Sequence, residues 1–124
     1  MTGWLKAETL RLRNTAIWSW RGWRAAWATQ KSLRQCTAAN AVSAALALAL
    51  PLGMGERALI LALGVLVLAA ELFNTAIETA IDYISEAQHP KAAMAKECAS
   101  AGVALTAVAA GVAWVVLIAG LLMG

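Results

Sequence analysis

Cysteine is nearly absent from this 124-residue chain, which has only Cys36 and Cys98. Two are too few for a disulfide framework, and their separation is not that of metal ligands. Each sits at the edge of an apolar segment and reads as a small buried residue. Charge is scarce as well: 14% of residues are charged while 61% are hydrophobic, and the mean hydropathy is +0.68. A single domain of this length cannot hide so much apolar surface inside a water-facing globule, which excludes an ordinary soluble fold. A bilayer or an extensive oligomer interface must cover it. No strand pattern competes with the helical periodicity. A cleavable signal peptide is not expected, because the first apolar run of adequate length begins only after Arg34.

The charge that is present lies unevenly. Seven of the ten Lys and Arg residues fall in the first 34 positions: Lys6, Arg11, Arg13, Arg21, Arg24, Lys31 and Arg34. A basic segment ahead of apolar spans reads as cytoplasmic. Nucleic-acid binding, the competing reading of a basic patch, is set aside because this patch runs directly into membrane-length apolar runs. Within it, residues 4–27 are expected to form an amphipathic helix lying in the membrane interface. Leu5, Leu12, Ala16, Trp20, Trp23 and Trp27 share an arc of roughly 80°. Five of the six Trp residues are here, and Trp suits the headgroup boundary because its ring is apolar while its N–H wants a polar partner.

Three spans are expected after it, over 36–52, 58–85 and 98–123. Pro51, Gly53 and Gly55 mark a tight connection, which Glu56 and Arg57 cap on the outer side. Gln88, His89 and Pro90 break the second span, and Lys91 and Lys96 return that loop to the cytoplasm. The third span is uncharged, and its small residues, among them Gly102, Ala110 and Gly111, permit close helix contacts. The predicted fold is an all-α integral membrane protein, one domain over 1–124, with its N-terminus cytoplasmic and its C-terminus outside.

An ionisable group inside a span is costly, and the second span carries several. With Glu71 as reference, Asn74, Thr75, Glu78 and Asp82 all project within about 100° of arc. Phe73, Ala76, Ala80 and Ile84 project from the opposite side. Stacked carboxylates at a membrane boundary suit Mg²⁺, which usually takes one or two carboxylates plus substrate phosphates. Phosphoryl transfer uses that metal together with a carboxylate that accepts the alcohol's proton. Glu71 lies deeper in the apolar layer, which suits a base; Glu78, about two turns nearer the cytoplasm, suits a metal ligand. The same groups would also serve a proton or cation pathway, or pair structurally with an arginine of a neighbouring helix. Spacing alone does not choose among the three.

The run Glu71-Leu72-Phe73-Asn74-Thr75-Ala76-Ile77-Glu78, continuing through Asp82, resembles the signature of the prokaryotic diacylglycerol kinase family, which also includes undecaprenol kinases. The block Ser19-Trp20-Arg21-Gly22-Trp23-Arg24-Ala25-Ala26-Trp27 resembles the N-terminal motif of its diacylglycerol branch. Arg34-Gln35, Ala95-Lys96-Glu97, the length and the three-span layout fit as well. The resemblance implies a homotrimer of three-span subunits with a surface helix, seated in the bacterial cytoplasmic (inner) membrane. It implies active sites between subunits at the cytoplasmic boundary, where MgATP phosphorylates diacylglycerol to phosphatidic acid. Undecaprenol or another lipid alcohol is the alternative acceptor. A catalytically weakened, lipid-binding member is the alternative of a different class.

Position by position, the resemblance implies Glu71 as catalytic base and Asn74 as a polar catalytic-site residue. It puts Glu78 and Gln30 at the metal, and Trp18, Gln30, Glu78, Lys96 and Glu97 at the nucleotide. Arg11, Ser19, Glu71 and Ser100 fall on the lipid side. Gln30 stands where the family generally has a glutamate that joins Glu78 around the metals, and Cys36 replaces another common acidic residue. Glu97 replaces the usual Asp, and Trp18 a usual Tyr. A Gln carbonyl oxygen can ligate Mg²⁺ but brings no charge, so the metal site is one carboxylate short of the family pattern. No phosphate-cradling glycine loop is present, and the family does without one.

Overall fold

The computed structural model describes residues 1–124 and contains four helices and no strand. They are α1 (Thr2–Thr29), α2 (Lys31–Ala49), α3 (Met54–Ile84) and α4 (Pro90–Met123). The breaks follow local chemistry in two of the three joints. Leu50 is extended ahead of Pro51, as the proline ring requires of its predecessor, and α2 stops there. Arg57 then reaches back from α3, donating from Nε to the Ala47 carbonyl at 2.9 Å and from Nη2 to that of Leu50 at 3.0 Å. Those are carbonyls that the end of α2 leaves without helical partners. At the other joint Pro90 occupies the first turn of α4, where its missing N–H costs nothing, and His89 Nδ1 accepts from the Lys91 N–H at 3.1 Å.

The third joint is a single extended residue, Gln30, between α1 and α2. No proline or glycine marks it. Arg34, one turn into α2, donates to the Trp27 carbonyl at the end of α1 and ties the two helices across the bend.

Helix α3 packs against α4 along most of its length and against α2 on another side, whereas α1 only touches α2 and α3. Near Pro51, Ala47, Leu52, Ile60 and Ala113 form a small core with Leu63, Trp114 and Leu117 around it. Trp114 Nε1 donates to Ser43 Oγ at 2.9 Å, which joins α4 to α2. In the same half of α3, the Asn40 amide donates to the Gly64 carbonyl and lies where a Cβ on residue 64 would stand. Glycine is needed there for close approach.

Only eight of the 124 residues are buried within the chain, so most of the apolar surface of α3 and α4 faces outward. Both helices are long and apolar enough to cross a membrane. Helix α2 is shorter, at 19 residues, and is punctuated by Arg34, Gln35, Thr37, Asn40 and Ser43; it is not one of these two. Along α1 the Trp residues at 4, 18 and 20 are exposed, and Trp23 stacks on Trp27 with ring centroids 5.9 Å apart. The reading of both cysteines as buried is corrected: Cys36 is half-buried, but Cys98 is exposed because its side of α4 meets no other helix of the chain.

Candidate active site

Glu71 is the only charged residue buried within the chain, with 6% of its surface exposed. It projects from α3 onto the first turns of α2. Ser32 Oγ donates to its Oε2 at 3.1 Å, and the Cys36 thiol donates to its Oε1 at 3.3 Å. No cation approaches it. The ion pairs within the chain are Arg11 with Glu8, inside α1, and Lys96 with Asp82, between α4 and α3. Within the chain, no arginine pairs with Glu71.

One turn toward Pro90, Asn74 Nδ2 lies 3.5 Å from Glu78 Oε1. Its Oδ1 is buried and has no hydrogen-bond partner. Buried polar atoms rarely go unpaired, so this one, beside a carboxylate, is free to meet a ligand. The pair offers one carboxylate and one amide oxygen, both hard donors. No group of three acidic, His or Cys side chains gathers anywhere to form a protein-built metal cage. Such a donor set fits Mg²⁺ held largely by substrate phosphates. Gln30, the expected second metal residue, sits at the α1–α2 joint, half-buried, and no hydrogen bond joins its side chain to Glu78.

Lys96 lies before the uncharged stretch of α4 that begins at Cys98. Its hydrogen bond to Asp82 holds its ammonium above the ordinary lysine pKa; partial desolvation opposes this, and the fields of Asp82, Glu78 and Glu86 reinforce it. Asp82 thus shares the acidic face of α3 but is engaged by a cation. Glu97 and Ser100 are exposed on α4, and Trp18 is exposed on α1. Ser19 donates to the Thr15 carbonyl at 2.8 Å and borders a groove of about 870 Å³ between α1 and α3. Trp23, Leu72, Thr75, Ala76 and Tyr83 also line that groove, so Ala76 faces α1 across it. The groove and the two donors to Glu71 are absent from the reading of the sequence. The donors had a signal only in part: residues 32 and 36 are one turn apart on one helix, but which helix they face is a tertiary fact.

Residues 17–118 match the prokaryotic diacylglycerol kinase family. The chain belongs to that family. It is 37% identical over 112 residues to a diacylglycerol kinase of Pseudomonas aeruginosa, covering 89% of each chain. To the diacylglycerol kinase of Escherichia coli strain K12 it is 32% identical over 108 residues, covering 87% of this chain and 88% of the relative. As a member of this family the protein is a membrane-associated lipid kinase, an enzyme rather than a transporter or a purely structural component. The matched segment contains α2, α3 and most of α4, and with them Ser32, Cys36, Glu71, Asn74, Glu78, Asp82 and Lys96.

Proposed function

We propose that the protein transfers the γ-phosphoryl group of ATP to the hydroxyl of diacylglycerol, giving phosphatidic acid at the cytoplasmic membrane boundary. The observation that carries this reading is the Glu71 carboxylate, buried, unpaired with any cation and held only by neutral donors. A carboxylate neutralised by arginine is a poor proton acceptor; one held by a hydroxyl and a thiol remains available. In the proposed step Glu71 takes the proton of the lipid hydroxyl. The freed oxygen attacks the γ-phosphorus, the bond from that phosphorus to the β-phosphate oxygen breaks, and ADP leaves. No side chain is phosphorylated on the way.

Glu78 and Asn74, with Gln30, would hold Mg²⁺, whose chemistry when bound is neutralisation of phosphate charge. Lys96, Glu97 and Trp18 are assigned to the nucleotide. Arg11, Ser19 and Ser100 are assigned to the lipid, and the largely apolar groove along α1 supports an acceptor with a fatty chain. We assign α2 as the third crossing, helped by its flanks, and place the basic α1 and the Lys91–Lys96 loop in the cytoplasm. The outward apolar faces of α3 and α4 support assembly as a homotrimer in the bacterial inner membrane.

Lipid-dependent release of ADP by the purified protein in mixed micelles, with and without Mg²⁺, tests this reading. Turnover is expected with diacylglycerol and Mg²⁺ and none when either is left out. Faster turnover with undecaprenol would reassign the acceptor, and no turnover with any lipid alcohol would overturn the proposal.

A further inference from the structure

A carboxylate as buried as Glu71 needs hydrogen-bond partners, and the fold supplies two, Ser32 and, where the resemblance implies an acidic residue, Cys36. Ser32 and Cys36 stand four residues apart, so they share one face of α2. Each donates to a different oxygen of Glu71, at 3.1 Å and 3.3 Å. The nearby hydroxyl of Thr75 is committed to the Glu71 main-chain carbonyl at 3.0 Å and takes no part. One neutral donor per oxygen fixes the plane of the carboxylate and leaves lone pairs on both oxygens unfilled. A cation in the same place would fix it equally well and hold the proton-accepting pair too tightly.

We infer that Ser32 and Cys36 are positioning residues for phosphoryl transfer: they hold the Glu71 carboxylate so that a free lone pair meets the hydroxyl of the lipid acceptor. This rests on Glu71 being the base. The start of α2 is itself anchored to α1 by Arg34, so the donors are fixed relative to the helix that borders the lipid groove. A general base contributes only when it is held in line with the proton it takes, and small misplacements are costly.

The test is steady-state kinetics of the full chain in diacylglycerol micelles, with five variants and Glu71→Gln alongside. Ser32→Ala and Cys36→Ala are mild for folding, because alanine favours helix and neither side chain is fully buried. Each is expected to lower kcat on the order of tenfold while KM for MgATP and for lipid stays within about twofold. The conservative variants Ser32→Thr and Cys36→Ser keep a hydrogen-bond donor at each position and should restore most of kcat. The double alanine variant should approach the level of Glu71→Gln and not fall below it, because both routes end at the same lost base. Wild-type kcat in the alanine variants overturns the inference, as does loss confined to KM or a Cys36→Ser variant as slow as Cys36→Ala. Full turnover by Glu71→Gln would instead overturn the base assignment itself, so the two failures read differently.

Discussion

Along α3 the polar groups near Pro51 are saturated, whereas two in its other half, Glu71 and Asn74, are not. At the Pro51 end Asn40 donates to Gly64, Ser43 accepts from Trp114, and Arg57 closes the last carbonyls of α2. Glu56 there accepts the Gly53 N–H at 3.3 Å. Each of these groups holds one helix to another or ends one. Toward Pro90, Glu71 has a neutral donor on each oxygen and no cation, and Asn74 Oδ1 is buried with no partner. Unfilled polar valences in an apolar setting cost free energy. On the proposed reading, with Glu71 as the base, the chemistry sits at the open end.

The largest expected effect that tests this contrast is at Glu71. Glu71→Gln keeps the shape and removes the proton acceptor, so kcat should fall by about 10²- to 10⁴-fold, the usual worth of a general base. Radiolabel transfer from ATP to lipid measures it, and near-normal turnover would remove the distinction between the two ends. Next comes the converse substitution at the saturated end. Gly64→Ala places a methyl group against the Asn40 amide, which must swing away and give up its bond to the Gly64 carbonyl. A loss of about 1–3 kcal/mol is expected for such overpacking, read as a lower unfolding midpoint in detergent, while kcat of the folded protein is unchanged.

The third substitution sharpens the open end. Gln30→Glu supplies the carboxylate that the resemblance implies beside Glu78. If Gln30 meets the metal in the assembled enzyme, the added charge should tighten the Mg²⁺ requirement by about tenfold, equivalent to about 1.4 kcal/mol. A titration of activity against Mg²⁺ reads this directly. An unchanged titration would detach Gln30 from the metal, in keeping with its position at the α1–α2 joint.

How legible all this was differs from residue to residue. Pro51 and Pro90 announce two of the three breaks, because a ring at a fixed φ with no N–H ends a helix by itself. The break at Gln30 has no such residue: the end of the amphipathic stretch at 27 and the start of the apolar run at 36 bracket it, but its exact place, beside the Arg34 bond back to Trp27, does not follow from periodicity. The shared face of Glu71, Asn74, Glu78 and Asp82 follows from helix geometry. Their separate environments do not, because burial of Glu71 requires α2 to cross at that height, and the engagement of Asp82 requires Lys96 on another helix. Cys98 reads as buried from its apolar neighbours yet is exposed, since hydropathy does not say which side of a helix meets a neighbour. Ser32 and Cys36 acquire meaning only through the packing of α2 on α3.

The smallest effect is expected where the acidic face of α3 is already engaged. Asp82 and Lys96 are both substantially exposed, and a pair of that kind contributes little stability. Asp82→Asn should therefore leave the unfolding midpoint in detergent essentially unchanged. Its pH signature has a definite sign. The pair raises the lysine pKa above its ordinary 10.5, so its contribution is fully present below that value and is lost only as pH rises through the higher folded value. Between about pH 7 and about pH 9 Lys96 is then a cation with or without Asp82. The activity–pH profile of Asp82→Asn should overlay the wild type across that range, with any change confined to KM for MgATP as Lys96 is released toward the nucleotide. A fall in kcat comparable to that of Glu71→Gln would mean that Asp82 acts on the acceptor, and the acidic face of α3 would be chemically open along its whole length.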